Sequence, residues 1–233
     1  MKLSSLTKSS SLLDHSIKSI LLVVAMIVMA FGLSSFGSAA AKITNTNEVE
    51  RFPTIALGSK IVMPNKMMKG VDGKEYSVLS SMKANGLLVV FSSNNCPFVL
   101  KWEDRYPMLK KFCDRFNIGL LMINSNEMKR EGDDSYEAMQ QHAKDKGYDW
   151  PYVMDVNSEV ANAFGAKTTP HTFLFDKTYK LVYKGAIDDN YEVAASVKQQ
   201  YVVDAITAMA MGTKIETPET KPVGCSVKRK VVE

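Results

Sequence analysis

The cysteine at position 96 stands where a thiol would be reactive. It follows a short run of apolar β-forming residues, Leu87–Phe91, and four small polar residues, and Pro97 comes directly after it. Because proline is favoured at the first position of a helix, Cys96 is expected at a strand-to-helix turn. Free backbone N–H groups and the helix dipole favour a thiolate there, which lowers the thiol pKa. The alternative is a buried structural cysteine, since free cysteine is among the most buried residue types.

Two further cysteines, Cys113 and Cys225, are possible disulfide partners of Cys96. Cys113 is expected about 25 Å from Cys96 along the same helical region, at roughly 1.5 Å per residue, which is beyond the reach of a disulfide. It lies among apolar residues and is interpreted as core filler. Any internal disulfide is therefore expected between Cys96 and Cys225. With three cysteines in the chain, at least one thiol has no internal partner.

The first 41 residues are predicted to be a signal peptide. A lysine-bearing start and an apolar run at 20–33 precede the small residues Ser38–Ala41. The run is short for a membrane span, which takes about 20 residues. We expect cleavage near Ala40 or Ala41, and the alternative is an uncleaved membrane anchor. Cleavage would export the protein to the periplasm or cell envelope, where disulfides persist, without stable insertion into the membrane.

The remaining chain is predicted to form one α/β domain over 52–212, after a flexible start at 42–51. Strands and helices alternate after the first cysteine, which favours parallel strands, and a hairpin then adds an antiparallel edge. Pro107 should kink the helical region that follows Cys96. A tail over 213–233 carries Cys225, and its prolines and glycine suit a flexible segment able to fold back or to reach another subunit. The predicted strands are Ile61–Met63, Met67–Met68, Leu87–Phe91, Ile118–Ile123, Trp150–Met154, Thr172–Phe175 and Lys180–Tyr183, and the later helices are 133–146, 158–164 and Tyr191–Met211.

Composition and histidine placement argue against other kinds of site. The net charge is only +4 on 233 residues, and no interleaving of aromatic and basic residues supports nucleic-acid binding. His142 lies on a polar helix, and His171 is interpreted as the start of a strand. No histidine pairs with a cysteine or carboxylate at metal-ligand spacing. We therefore predict no metal and no cofactor.

The order of elements, with a cysteine at the first strand-to-helix turn, resembles the thioredoxin fold. Thr168-Thr169-Pro170 stands where such proteins carry a cis-proline that faces the reactive cysteine. The alternative is an ordinary trans proline at the start of a strand. More closely, the chain resembles a branch of bacterial exported redoxins, within the thioredoxin-like and peroxiredoxin superfamily, over roughly Phe52 to Lys228. The matching stretches are Phe91–Val99, Lys167–His171, Tyr183–Asn190 and Lys221–Ser226.

This resemblance implies a three-layer thioredoxin-like fold, with a central mixed sheet flanked by helices and an N-terminal β extension. It also implies a thiol-based oxidoreductase whose nucleophile, Cys96, attacks a peroxide or a protein disulfide. Many members carry a C-x-x-C pair, whereas here Ser93 takes the first position. The pattern is closer to the Thr/Ser-x-x-Cys of peroxiredoxins, in which the hydroxyl bonds the thiolate or its peroxide. Cys225 is the candidate to resolve a Cys96 sulfenic acid, and an unidentified partner would supply reducing equivalents.

The residues expected to bind substrate lie around this nucleophile. Thr169 and Pro170 would offer backbone groups to an extended peptide. Pro97 opens the helix, and Arg105 or Lys101 would bring positive charge towards the thiolate. Two other functions stay open: a thiol reductase or isomerase that forms mixed disulfides, and a non-catalytic binding or scaffold protein of the cell envelope.

Overall fold

The computed structural model describes residues 51–230, so the predicted signal peptide and nearly all of the predicted flexible start lie outside the described residues. In chain order the strands are β1 (Met68–Gly70), β2 (Glu75–Tyr76), β3 (Gly86–Ser92), β4 (Gly119–Asn124), β5 (Tyr152–Met154), β6 (Thr168–Thr169), β7 (His171–Asp176), β8 (Leu181–Gly185) and β9 (Cys225–Ser226). The α-helices are α1 (Pro97–Trp102), α2 (Tyr106–Arg115), α3 (Tyr136–Lys146), α4 (Glu159–Phe164) and α5 (Tyr201–Met211).

A mixed sheet in the order β2-β1-β5-β4-β3-β7-β8 forms the middle layer of the described domain. The strands β3, β4 and β5 run parallel, and β7 and β8 extend the sheet antiparallel as the predicted hairpin. The N-terminal pair β1–β2 adds to the other edge. Every residue of β3 is buried, as its continuous apolar run predicts for a strand covered on both faces.

The two faces of the sheet carry separate hydrophobic cores. Leu88 and Val90 of β3 point into a cluster with residues of α1, α2, α3 and α5. Leu87, Val89 and Phe91 point the other way, into a cluster that α4 covers. This alternation follows from the two-residue period of a strand. The predicted α/β, three-layer thioredoxin-like architecture with its N-terminal β extension is therefore confirmed.

The helical region after Cys96 breaks where proline predicts a kink. Helix α1 ends at Trp102, a 3₁₀ turn covers Glu103–Arg105, and α2 begins at Tyr106, with Pro107 in its first turn. Proline is tolerated in a first turn because the N–H it lacks has no partner there. The break brings Arg105 onto the short turn between the two helices.

The prediction of one long helix over Tyr191–Met211 is wrong in its first half, because α5 begins only at Tyr201. Asn190 accepts hydrogen bonds through Oδ1 from the backbone N–H groups of Glu192 and Val193, at 3.0 and 2.9 Å. Such side-chain bonds compete with a helix for the same backbone groups. The segment before α5 is therefore a loop with a single 3₁₀ turn.

One other expectation needs correction. The predicted strand Ile61–Met63 does not form, and Met63 has a left-handed φ of 45°, which a strand does not accept. The tail beyond Gly212 folds back over the domain, which is one of the two arrangements expected for it. Thr220 bonds the backbone of Lys184, and β9 pairs with β6 as a separate two-stranded sheet.

Candidate active site

Cys96 lies at the start of α1, directly after β3. Its φ and ψ of −83° and 122° are extended, and Pro97 takes the first helical position. The side chain is 6 % exposed, and its Sγ donates a hydrogen bond to the carbonyl oxygen of Thr169 at 3.2 Å. The predicted strand-to-helix turn is thus the local structure that presents this thiol. Pro97 itself is exposed beside it.

The Thr169–Pro170 segment faces Cys96 from β6. The peptide bond between the two residues is cis. Cys225 of β9 lies opposite Thr169 in an antiparallel pair, and Ser226 lies opposite Thr168. Gly224 approaches this backbone closely, since a Cβ at that position would stand 2.2 Å from the Thr169 carbonyl oxygen. The tail therefore brings the second thiol to the first.

The thiol pKa values of the two cysteines move in opposite directions. Burial raises the pKa of Cys96, but hydrogen bonds from the Cys225 side chain, the Val99 and Cys225 backbones and the Thr169 side chain outweigh it and lower the pKa. Val99 lies in the first turn of α1, where backbone N–H groups lack helical partners. Burial, together with the bond and charge of Cys96, raises the pKa of Cys225 to about 11. Cys96 is thus the thiol more readily ionised.

Ser93 is buried near this pair, but its hydrogen bond goes to Thr169. Its Oγ donates to Thr169 Oγ1 over a long 3.4 Å. Thr169 in turn contributes a side-chain bond to the Cys96 thiolate. The serine therefore reaches the sulfur through the threonine hydroxyl in this structure, whereas the resemblance implied a direct bond.

Arg105 is engaged away from the thiol pair. Its Nε donates to Asp188 at 3.1 Å, and Nη2 donates to the Asn190 carbonyl at 2.7 Å. Nη1 bonds the Lys101 carbonyl and the Asp104 carboxylate. With the guanidinium occupied and 5 % exposed, these contacts anchor the loop after β8 and offer no free group to a substrate. The Lys101 ammonium lies over the ring of Tyr191, 5.2 Å from its centroid.

The buried carboxylate of Asp134 connects the loop before Cys96 to the tail. One oxygen accepts from the Asn94 backbone N–H at 2.8 Å and from the Asn124 amide at 2.7 Å. The other accepts from the Asn126 amide at 2.9 Å, and Asn126 accepts the Lys228 backbone N–H at 2.8 Å. A fully satisfied buried network of this kind holds its members in one geometry.

Sequence reasoning missed the Asp134 network, although the sequence carries a signal for it. Asn94 and Asn126 follow β3 and β4, and Asn124 ends β4. These strands are adjacent and parallel, so their carboxyl ends meet at one edge of the sheet. Amide side chains clustered at that edge indicate a polar network.

The third cysteine and His171 stand apart from this chemistry. Cys113 is fully buried in the core, as predicted, and burial raises its pKa to about 12. His171 is also buried, and its Nδ1 accepts the Lys167 backbone N–H at 3.1 Å. Burial and two nearby lysines lower its pKa to about 3, so the imidazole is neutral. Within residues 51–230 no group of three or more His, Cys, Asp or Glu side chains has an arrangement suited to a metal ion.

A small pocket of about 70 Å³ opens beside the two thiols, and polar side chains including Asn126, Lys129 and Asp134 line its walls. A larger cavity of about 600 Å³ lies at the opposite end of β3, beside Asn85 and Asp176, and neither Cys96 nor Cys225 lines it. The two thiols therefore line the smaller pocket. None of the helices in the described part of the chain has the length and apolar character to cross a membrane.

Comparison with solved structures gives similar folds over most of the chain. A hypothetical protein from Sinorhizobium meliloti is 27 % identical, with a TM-score of 0.68, and the match covers 78 % of this chain and 98 % of the other. An uncharacterized conserved protein from Geobacillus kaustophilus is 27 % identical, with a TM-score of 0.72, over 78 % and 96 % of the two chains.

A more distant structure has the same fold. The peroxidoxin BcpB of Mycobacterium tuberculosis is 15 % identical, with a TM-score of 0.52, over 66 % of this chain and 97 % of the other. No curated protein matches the sequence at a significant level. The pattern of the AhpC/TSA family matches residues 61–184, which is more than half of the chain and includes Cys96 and Pro170. The chain therefore belongs to the AhpC/TSA family of redoxins and has a thioredoxin-like fold.

Proposed function

We propose that this protein is a two-cysteine thiol oxidoreductase that reduces peroxides, with Cys96 as the nucleophile and Cys225 as the resolving thiol. The observation that carries the proposal is the pairing of Cys225 with Thr169, which holds a second thiol against the first. Membership of the redoxin family supports thiol-based oxidoreductase chemistry in general. The lowered pKa of Cys96 supports its role as the attacking group.

The proposed reaction has two chemical steps before re-reduction. The Cys96 thiolate attacks a peroxide oxygen, so an S–O bond forms and the O–O bond breaks, and the leaving hydroxide or alkoxide takes a proton. The sulfur is now a sulfenic acid. The Cys225 thiol then attacks that sulfur, so an S–S bond forms, the S–O bond breaks, and water leaves with the thiol proton.

An external dithiol closes the cycle. It gives two electrons and two protons to the Cys96–Cys225 disulfide and becomes a disulfide itself. Thr169 and Ser93 have supporting roles, since Thr169 contributes a side-chain bond to the thiolate and Ser93 bonds Thr169.

Peroxide titration followed by mass spectrometry tests this function. We expect wild-type protein to lose two hydrogen atoms and to yield a Cys96–Cys225 cross-linked peptide, and Cys113→Ser to behave in the same way. Cys225→Ser should stop at a sulfenic acid that dimedone traps on Cys96, and Cys96→Ser should not react. Cys96 oxidation no faster than that of free cysteine, or a wild-type product without the cross-link, contradicts the proposal.

We also propose that the protein is exported and works in the periplasm or cell envelope after loss of residues 1–41. The basic start, the apolar run at 20–33 and the small residues Ser38–Ala41 support export. The mass of the mature protein in cell fractions tests it, because cleavage near Ala40 or Ala41 gives a defined N-terminus. A full-length chain in the cytoplasm contradicts it.

A further inference from the structure

The tail crosses the active site as a segment fixed on both sides. We call residues 221–226 the strap. Before it, the Thr220 backbone N–H donates to the Lys184 carbonyl at 3.0 Å, and Thr220 Oγ1 accepts the Ala186 N–H at 2.9 Å. After it, Val227 is 2 % exposed and donates its N–H to the Lys167 carbonyl at 3.1 Å. The strap itself is half-buried except at its first residue, which is exposed.

The strap occupies the edge at which an extended peptide would pair. Its residues Cys225 and Ser226 form the antiparallel partner of Thr169 and Thr168. Recognition of an extended peptide by strand addition needs such an edge with its main-chain groups free. Gly224 packs so closely on the Thr169 carbonyl that a side chain there has no room. The chain thus presents its own Cys225 where a peptide would present a cysteine.

The pocket beside the two thiols is small. The pocket lined by Cys96 and Cys225 measures about 70 Å³, whereas sites for drug-sized ligands are about 300–1,000 Å³. Cys96 is 6 % exposed, so an oxidant reaches it only through a narrow opening. A molecule of the size of hydrogen peroxide fits this volume, and an aromatic or long-chain hydroperoxide does not.

We propose that the strap restricts Cys96 to hydrogen-peroxide-sized oxidants and excludes bulky hydroperoxides and protein disulfides while it is in place. This inference rests on the proposed peroxide chemistry of Cys96 and names its substrate class. The restriction is steric, because the strap contributes Cys225 and Ser226 to the wall of the pocket and occupies the β6 edge. Displacement of the strap should therefore widen the range of oxidants without a change in the nucleophile.

The test compares rates of Cys96 oxidation by hydrogen peroxide and by cumene hydroperoxide, each divided by its rate with free cysteine. For wild-type protein we expect a normalised preference for hydrogen peroxide of more than about tenfold. Gly224→Ala adds a Cβ against the Thr169 carbonyl, and Thr220→Ala removes the hydroxyl that accepts the Ala186 N–H before the strap. Both variants should reduce the preference, and Gly132→Ala is the matched control, because a Cβ there meets nothing closer than 4.0 Å.

A second readout does not depend on peroxide. With each rate divided by that of free cysteine, Cys96 of Cys225→Ser protein should react much more slowly with a large biotin–maleimide than with iodoacetamide, and Gly224→Ala in that background should remove the difference. Equal normalised rates for the two hydroperoxides in wild-type protein overturn the inference. Faster alkylation of Cys225 in a variant would show that the strap is displaced. If such a variant keeps the wild-type preference for hydrogen peroxide, the inference is also overturned. Absence of peroxide reactivity together with size-selective alkylation overturns the proposed function and supports the steric role of the strap.

Discussion

Cys225 lies opposite Thr169, and this one backbone pairing brings a residue of the tail against the thiol at the start of α1. The Thr169 carbonyl oxygen accepts a hydrogen bond from the Cys96 thiol at 3.2 Å, and the Thr169 side chain contributes a hydrogen bond to the thiolate. The same strand register thus positions the proposed resolving thiol and supports the proposed nucleophile.

The first prediction concerns the thiol pKa of Cys96. The bond from the Cys225 side chain is the largest of the contributions that lower it. Cys225→Ala removes this donor and should raise the Cys96 pKa, so less thiolate is present at neutral pH. Cys225→Ser keeps a hydroxyl donor and should raise it less. Thiolate absorbance measured against pH checks both variants, and identical curves for Ala and wild type contradict the assignment.

The second prediction concerns which sulfur the reductant attacks. In the disulfide state an external thiolate should bond to Cys225 and expel Cys96, because Cys225 is half-exposed and Cys96 is nearly buried. The lower pKa of Cys96 also makes it the better leaving group. Oxidised protein treated with glutathione and quenched with iodoacetamide should carry glutathione on Cys225 and the alkyl group on Cys96. Glutathione found on Cys96 would reverse this order.

The third prediction concerns Asp134. Asp134→Asn puts an amide donor against the donors of Asn94, Asn124 and Asn126, and should cost about 1–3 kcal/mol in the free energy of unfolding. It should also slow formation of the Cys96–Cys225 disulfide, because the network holds both segments. Asp145→Asn is the matched control, since the Asp145 carboxylate is exposed and accepts a hydrogen bond from the Gln141 amide on the same helix. Equal effects of the two substitutions in urea unfolding and in the disulfide rate argue against a positioning role.

The fourth prediction concerns the pH dependence of stability. The His171 imidazole takes up a proton near pH 6.5 when unfolded but only near pH 3 when folded, because burial and then Lys167 and Lys184 lower its pKa. The unfolded chain therefore binds more protons between these values, and stability is lost as pH falls through that window. The expected slope from this group is about 1.4 kcal/mol per pH unit. Urea unfolding of His171→Asn at stepped pH should give a shallower decline, and parallel declines contradict it.

The fifth prediction separates two roles for Arg105. Lysine cannot reproduce the separate bonds of the guanidinium to Asp188, Asn190 and Lys101, so Arg105→Lys should lower the free energy of unfolding by about 1–3 kcal/mol. The alkylation rate of Cys96 should stay near the wild-type value. A slower Cys96 reaction in a protein of unchanged stability would instead support the substrate-binding role that the sequence predicts.

The sequence was sufficient for the parts of the site that local chemistry controls. An apolar run, small polar residues and a proline predict the turn that carries Cys96. The helices predicted to end at 146 and 164 do end there, each followed by a glycine with left-handed φ, Gly147 and Gly165. The helix predicted from Tyr191 is wrong because Asn190 bonds the backbone that the helix needs, and periodicity does not register such bonds.

The remaining features depend on residues far apart in the chain. The Arg105–Asp188 pair spans 83 positions, and the strap pairs with β6 across 56 positions. No local pattern specifies either contact. The amide cluster around Asp134 is intermediate between local features and long-range contacts. It can be predicted once β3 and β4 are known to be adjacent and parallel.

Cys113 is the cysteine without a partner among the three in the chain. Its sulfur is sealed among the side chains of α2 and the sheet, and its raised pKa keeps it protonated. It therefore takes no part in electron transfer and competes for neither of the other two sulfurs. With the proposed Cys96–Cys225 disulfide as the oxidised form, each molecule would therefore store one pair of electrons, and the protein would have a redox capacity of two equivalents per chain.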